Sequence, residues 1–333
     1  MRVALLTGDP GSASARVRLE DPLPGLRAAG IEAAIVALPR GWLARRRALR
    51  ALRAFDLVVL HRRLLDRVLL GTLRRAAGGL LLDLDDAIWT RPGGRSRRLE
   101  ARFERALRAA DLVVVGSGWL EAQLAPRHPR VRLLPPVPPP APPFEPIPPD
   151  GRVHLAWTGS RATLPYLESI GPALAALARE RSGWVLDVVA DAAPALPPGV
   201  PVALHPWSLA REAAVLAGAQ VGLHPLPDDP WTRGKCAYKV RLYLRHGLAV
   251  ATVPHGGGAE AAGTAGVLIE DPAGWAPVLA RLLSDRELCA TLGARGRELA
   301  SQRDDPARRD RALAAILREV VATPGFTARQ EVC

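Results

Sequence analysis

Ten of the fifteen residues from Pro135 to Pro149 are proline, in the run PPVPPPAPPFEPIPP. Proline holds φ near about −65° and has no backbone N–H, so this run can be neither a helix nor a central strand. It reads as a stiff, extended linker over residues 135–150. A 333-residue chain cut at this point leaves two pieces of ordinary domain size, residues 1–134 and 151–304, followed by a helix and tail over 305–333. That tail is expected to pack back on the N-terminal piece.

Both pieces repeat one alternation of apolar strands and helical stretches. In the first, strands are predicted at Arg2–Thr7, Glu32–Ala37, Leu57–Leu60, Gly79–Asp83, Leu112–Val115 and Val131–Leu134. A helical stretch over Arg16–Ala29 is broken near Pro22 and Pro24 and closed by Gly30, and a basic helix covers Leu43–Ala54. In the second, strands are predicted at His154–Trp157, Trp184–Ala190, Pro201–Leu204, Val221–Pro225, Leu248–Val253 and Val267–Ile269. A helix is predicted from the Gly159–Arg161 turn to about Arg181, and a long C-terminal helix over Pro306–Val321 after two shorter ones. The runs at Leu57–Leu60, Gly79–Asp83 and Leu112–Val115 are continuously apolar rather than alternating, as parallel strands covered on both faces are. The fold class is α/β: two facing Rossmann-like, doubly wound domains with a cleft between them. In such sheets ligands bind beyond the carboxyl ends of the strands.

Composition narrows the function. Hydrophobic residues make up 48% and charged residues 23%, the profile of a soluble globular chain. No apolar run approaches the roughly 20 residues that span a bilayer. The N-terminus lacks the features of a secretory signal, and the three cysteines, Cys236, Cys289 and Cys333, are too widely spaced for a disulfide framework or a metal cluster. A cytoplasmic protein without a bound metal is the expectation. The net charge of +12 comes almost wholly from arginine spread along the chain. No RNA-binding aromatic platform, zinc finger or helix-turn-helix accompanies it, so nucleic acid is not the expected partner. The basic helix over Trp42–Phe55 suggests a peripheral membrane contact and a lipid-linked acceptor; a solvated helix covering the first sheet would look the same.

Against that arginine background the chain has two lysines only, Lys235 and Lys239. Read as one helix, they share a face at (i, i+4) spacing in its first turns, where cations oppose the macrodipole and a bound anion would offset the cost. Their segment, Pro225-Leu-Pro-Asp-Asp-Pro-Trp-Thr-Arg-Gly-Lys-Cys-Ala-Tyr-Lys239, follows a strand. Three further strand ends carry polar or glycine-rich motifs. Trp157-Thr-Gly159-Ser160-Arg161 leads into a helix N-terminus suited to phosphate. His255-Gly256-Gly257-Gly258-Ala-Glu260 lets backbone amides approach a ligand and offers Glu260 to sugar hydroxyls. Asp83-Leu-Asp85-Asp86 sets adjacent carboxylates where they could orient hydroxyls, accept a proton or bind a cation. The loop after the first strand, Gly8 to Arg18, lacks the dinucleotide fingerprint, so a redox cofactor is not expected.

Asp85-Asp86-Ala-Ile-Trp, Trp157-Thr-Gly-Ser, the Pro225–Cys236 segment with Lys239 and the Gly-Gly-Gly-Ala-Glu turn together resemble bacterial family 4 glycosyltransferases. The resemblance covers nearly the whole chain and is strongest from Val221 to Trp275. It implies the GT-B fold, retention of anomeric configuration and a nucleoside diphosphate sugar as donor, with no essential cofactor or metal. It places Gly159, Ser160, Arg161, Lys235, Lys239, Gly256, Gly257, Gly258 and Glu260 on the donor, with Arg161 and a lysine at the diphosphate. Asp85 and Asp86 stand where relatives carry an active-site histidine turn, and Ser14, Arg16 and Arg18 fall on the acceptor side. The implied catalytic set is Asp85, Asp86, Arg161, Lys235 and Lys239. One departure stands out: relatives carry two glutamates with seven residues between them, the second on the ribose, whereas here those positions fall on Gly234 and Leu242. Asp228 and Asp229 are nearby carboxylates at a different spacing. The rival readings are a same-fold sugar-nucleotide epimerase and a non-catalytic nucleotide-sugar-binding protein.

Overall fold

A computed structural model of the protein describes residues 1–147 and 149–322. The chain forms two compact units. The first gathers Met1–Val137, the short segment Asp229–Cys236 and residues 306–322; the second consists of Pro138–Asp228 and Ala237–Asp305.

The first unit is built on β1 (Arg2–Thr7), β2 (Glu32–Ala37), β3 (Leu57–His61) and β4 (Gly79–Leu84). After the two-residue arms of a small hairpin, β5 (Thr90–Arg91) and β6 (Gly94–Arg95), come β7 (Leu112–Val115) and β8 (Val131–Leu133). Six of these form one parallel sheet in the order β2-β1-β3-β4-β7-β8. Successive side chains leave opposite faces of a strand, so each apolar run feeds two cores. Leu6, Val58, Leu60, Leu82 and Val115 pack on one face with the helices Trp42–Ala51, Arg67–Ala76 and Arg97–Ala109. Val3, Leu5, Val59, Leu81 and Val114 pack on the other, where Leu313, Leu317 and Val320 of the helix Pro306–Val321 cover them.

The second unit holds β9 (Val153–Thr158), β10 (Trp184–Val189), β11 (Val202–His205), β12 (Val221–His224), β13 (Ala249–Thr252) and β14 (Gly266–Leu268). They are parallel in the order β11-β10-β9-β12-β13-β14, which counted within the sheet is the Rossmann order 3-2-1-4-5-6. The order reverses between β9 and β12. These strands pair only at Leu155↔Val221 and Ala156↔Gly222 and then diverge. Tyr243 fills the opening: its hydroxyl accepts from Thr158 N at 3.2 Å and donates to Leu223 O at 3.2 Å. Its ring lies so close to Gly222 that a Cβ there would come within 2.5 Å of it.

Several local expectations need correction. The Arg16–Ala29 stretch starts earlier, with a short helix at Ala13–Ala15 and a π-helical turn at Arg16–Glu20; the expected break falls before Leu23–Ala28, which Pro22 caps and which holds Pro24 in its first turn. The helix Arg286–Arg303 spans 18 residues and outruns the 16-residue Pro306–Val321, so the C-terminal helix is not the longer one. Lys235 and Lys239 do not share a helix. Lys235 follows the single 3-10 turn Thr232–Gly234, and the helix proper is Tyr238–His246. Between them Ala237 takes φ +47°, a left-handed conformation that breaks the helical path. Among the described residues no helix is long and apolar enough to cross a membrane. Cys333 lies outside the described residues.

Candidate functional site

Each unit gathers polar residues at the carboxyl ends of its strands. In the first unit β3 ends in His61 and β4 is followed by Asp85 and Asp86, with Asp83 one residue inside its end. Asp83 is buried and takes two hydrogen bonds from Arg18, through Nη2 to Oδ1 and through Nε to Oδ2 at 3.2 Å. It also meets His61 Nδ1 at 2.7 Å. The other imidazole nitrogen, Nε2, lies 2.9 Å from Ser14 Oγ, which donates to Asp85 Oδ2. Asp83, His61, Ser14 and Asp85 thus form an unbroken chain of contacts from the core to a partly exposed carboxylate.

The ion pairs explain why this cluster is stable. Arg62 spans both loop carboxylates, with Nε 3.1 Å from Asp85 and Nη2 bonded to Asp86. It adopts φ +51°, one of two non-glycine residues at positive φ among the described residues, the other being Ala237. Such strain costs of the order of 1–3 kcal/mol and persists where neighbours over-determine it. Lys235 Nζ reaches Asp86 at 3.4 Å and sits 5.3 Å from the Trp231 ring centre. Three carboxylates therefore face Arg18, Arg62 and Lys235. Burial alone would raise the Asp83 carboxyl, but Arg18 and His61 outweigh it and hold it well below the usual range. For Asp86 burial prevails over the pull of Lys235 and Arg62, with Asp85 adding to it, and its carboxyl is raised. Burial pushes the Cys236 thiol well up, so it stays protonated and donates to Asp85 O at 2.9 Å.

Chemically, this chain of contacts has the connectivity that a proton relay needs. Ser14 has one hydroxyl proton and two acceptors within reach. When it donates to Asp85, the Ser14 oxygen receives Nε2–H of a doubly protonated imidazole. When it turns to His61, the ring is singly protonated and Nδ1–H donates to Asp83. The contacts run from the buried imidazole to Asp85, whose side chain is 15% exposed.

In the second unit the site lies where the strand order reverses. Lys239, in the first turn of Tyr238–His246, places Nζ 4.0 Å from the Trp157 ring centre. A Cβ on Gly159 would stand 2.7 Å from that Nζ and 2.6 Å from Thr163 Oγ1, so glycine is what lets the ammonium approach the end of β9. Ser160 and Thr163 cap one 3-10 turn, and the Arg161 amide donates to Asp191 Oδ1 at 2.8 Å. A carboxylate thus already occupies the helix start expected to face phosphate; the Arg161 side chain is exposed. After β13, Gly256 and Gly257 are both left-handed, at φ +59° and +69°. His255 Nε2 lies 3.1 Å from Leu226 O and 3.0 Å from Pro227 O, tying this turn to the loop after β12. Gly258 opens a five-residue helix on which Glu260 is exposed.

The predicted residues therefore fall into two groups. Ser14, Asp85, Asp86 and Lys235 meet in the first unit; Gly159, Ser160, Arg161 and Lys239 meet in the second, with Gly256, Gly257, Gly258 and Glu260 on a neighbouring strand-end loop. Arg18 is a core residue, bonded to Asp83 and to Leu134 O at 2.5 Å, while Arg16 is half-buried in the π-helical turn. The two glutamate positions of the family are closed to a carboxylate. A Cβ on Gly234 would meet Ala87 N at 2.6 Å, and Leu242 is a core side chain. Asp229 caps its own loop, accepting from Trp231 N and Thr232 N at 2.8 Å each. Sequence reasoning missed His61 and Arg62. Their signal was a histidine closing an otherwise apolar strand.

The sequence matches no family profile and no curated protein. Solved structures do match in fold. HepE from Anabaena in complex with UDP superposes with a TM-score of 0.69 at 15% identity, over 96% of this chain and 100% of that one; its UDP-glucose complex gives 0.65 at 14%. The glycosyltransferase SnogD from Streptomyces nogalater gives 0.56 at 18%, over 95% and 100%. TarM gives 0.58 at 7% over 78% of this chain, which spans about half of that protein's length, 54%. At these identities the likeness is one of fold: two six-stranded parallel α/β units of the GT-B type.

Proposed function

We propose that the protein is a glycosyltransferase that moves a sugar from a nucleoside diphosphate sugar to an acceptor hydroxyl, in glycan or glycolipid synthesis. The observation that carries this reading is Lys239 held over Trp157 and against Gly159, where a Rossmann-ordered sheet reverses. A cation at a helix start is unfavourable unless an anion joins it, and breaking an anomeric phosphate bond builds negative charge on the leaving diphosphate. Lys239 is the proposed ligand of that diphosphate, with Arg161 and the Gly256–Gly258 turn around the donor. HepE's complexes with UDP and UDP-glucose support a UDP-sugar. On the first unit, Asp85 and Ser14 are proposed to hold the acceptor hydroxyl, while Lys235 and Asp86 brace the loop.

Family resemblance implies retention. The Asp83–His61–Ser14–Asp85 relay favours inversion, because a direct displacement needs a base for the acceptor proton. The anomeric configuration of the product, read by NMR, separates the two. The helix Trp42–Ala51, with Trp42 and Leu43 exposed among arginines, is proposed to rest on an anionic membrane that carries a lipid-linked acceptor.

The test is UDP release from a panel of UDP-sugars with and without acceptors. Acceptor-dependent release is expected; an epimerase would isomerise the donor without release, and a binding protein would do neither. Lys239→Met should lower kcat/KM about 10- to 150-fold, the equivalent of roughly 1.5–3 kcal/mol for a charge-assisted contact, with kcat falling as well as KM rising. Unchanged kcat/KM in Lys239→Met would refute the lysine assignment, and a larger loss in Lys235→Met would transfer it to Lys235.

A further inference from the structure

Beyond Asp86 the same loop leads to a groove of about 620 Å³ in the first unit. Its floor is aromatic. Trp89 and Trp119 lie with planes 6° apart and ring centres 6.3 Å apart, and Phe103 backs Trp89 at 4.5 Å. Its walls are polar. The helix Arg97–Ala109 presents Glu100 and Glu104, and the helix Gly118–Leu124 presents Gln123 one turn after Trp119. Arg95 Nε holds Glu100 at 2.8 Å, while Arg127 bonds Glu104 and covers the Trp89 and Phe103 rings at 5.7 and 5.1 Å.

We propose that this groove binds a saccharide, the acceptor's sugar chain; the inference rests on the transferase reading. A pyranose has an apolar C–H face and a rim of hydroxyls that both donate and accept. An indole face suits the first, and carboxylates, guanidinium groups and an amide suit the second. Three arginines against two glutamates leave the lining close to neutral, which suits hydroxyls better than a diphosphate. Glu100 meets Arg95 and Glu104 meets Arg127 and Arg108, yet a carboxylate has about four acceptor positions, so sugar hydroxyls can bond without breaking the pairs. Aromatics are only 5% of this chain, yet two of its eight tryptophans meet at this groove. Trp89 is three residues beyond Asp86, so one loop carries both a wall of the groove and the carboxylates proposed to hold the accepting hydroxyl.

The experiment is saturation-transfer NMR on the full chain with lactose, cellobiose, maltose and N,N′-diacetylchitobiose as probes. At least one should receive saturation, and Trp119→Ala and Gln123→Ala should each abolish or strongly weaken it, with UDP affinity as the folding control in every variant. Absence of transfer to all four sugars overturns the proposal, as does transfer that survives in both variants. In turnover assays the two changes should raise acceptor KM about tenfold, the effect of losing one stacking face or bonded rim. Saccharide binding without acceptor-dependent UDP release would sink the transferase reading and leave the groove. Acceptor-dependent release with KM unchanged in both variants would do the reverse.

Discussion

Asp83 accepts from Arg18 and contacts His61 at once, so its removal leaves a buried guanidinium facing a neutral group. Breaking a buried pair in this way costs about 3–5 kcal/mol, and Asp83→Asn should lose that much at neutral pH. The pH dependence has a definite sign. A carboxyl whose folded pKa is depressed contributes stability above its unfolded value, about 3.9, and loses it as pH falls from there toward the lower folded value. Urea unfolding of wild type and Asp83→Asn should therefore show a wide gap at pH 7 that narrows below about pH 4. An equal gap at pH 7 and pH 3 would mean that the Asp83 charge contributes nothing. His61 depends on the same carboxylate for its orientation, so this residue links the core to the relay.

At the scale of elements, the helix Tyr238–His246 determines how wide the second sheet opens. Its Tyr243 hydroxyl satisfies Thr158 N and Leu223 O where β9 and β12 no longer pair, and its ring requires glycine at position 222. Tyr243→Phe removes the partner of a buried N–H and should cost about 1–3 kcal/mol, visible as a lower urea midpoint at unchanged slope. A midpoint equal to wild type would show that water or a shifted strand replaces the hydroxyl. The same helix explains why the lysine spacing misled. An (i, i+4) pair is neighbourly only within one helix, and the left-handed Ala237 ends that condition two residues after Lys235.

At the scale of the whole molecule, the surplus of twelve positive charges is spread widely, but the helix Trp42–Ala51 adds exposed apolar residues to it. Trp42 is 43% exposed and Leu43 74%, and Val68 at the start of the next helix is 50% exposed. Apolar side chains ringed by arginine fit a surface with acyl chains beneath anionic headgroups. Co-sedimentation with phosphatidylglycerol vesicles is expected, weakened by salt and by Trp42→Ser with Leu43→Ser, and absent with phosphatidylcholine alone. Equal binding to both lipids, or none to either, would rule out the proposed contact.

Much of this architecture was legible because its signals are local. All twelve strands of the two large sheets fall within one or two residues of the predicted ones; the central strands were marked most clearly, since a parallel strand buried on both faces leaves its mark on each position. Polar or glycine motifs at strand ends pointed to Asp85, Asp86, Gly159 and Lys239 for the same reason. The pairing of His61 with Asp83 joins residues 22 apart, and Lys235 meets Asp86 across 149. Neither is encoded by any window of the chain, because such contacts depend on strand order and on where loops return. Tertiary structure alone drew Asp229–Cys236 into the first unit and brought Trp89 beside Trp119. The sequence by itself determined which segments become strands, and where their ends would carry polar groups; folding decided which of those groups meet, because partners are chosen through space rather than along the chain.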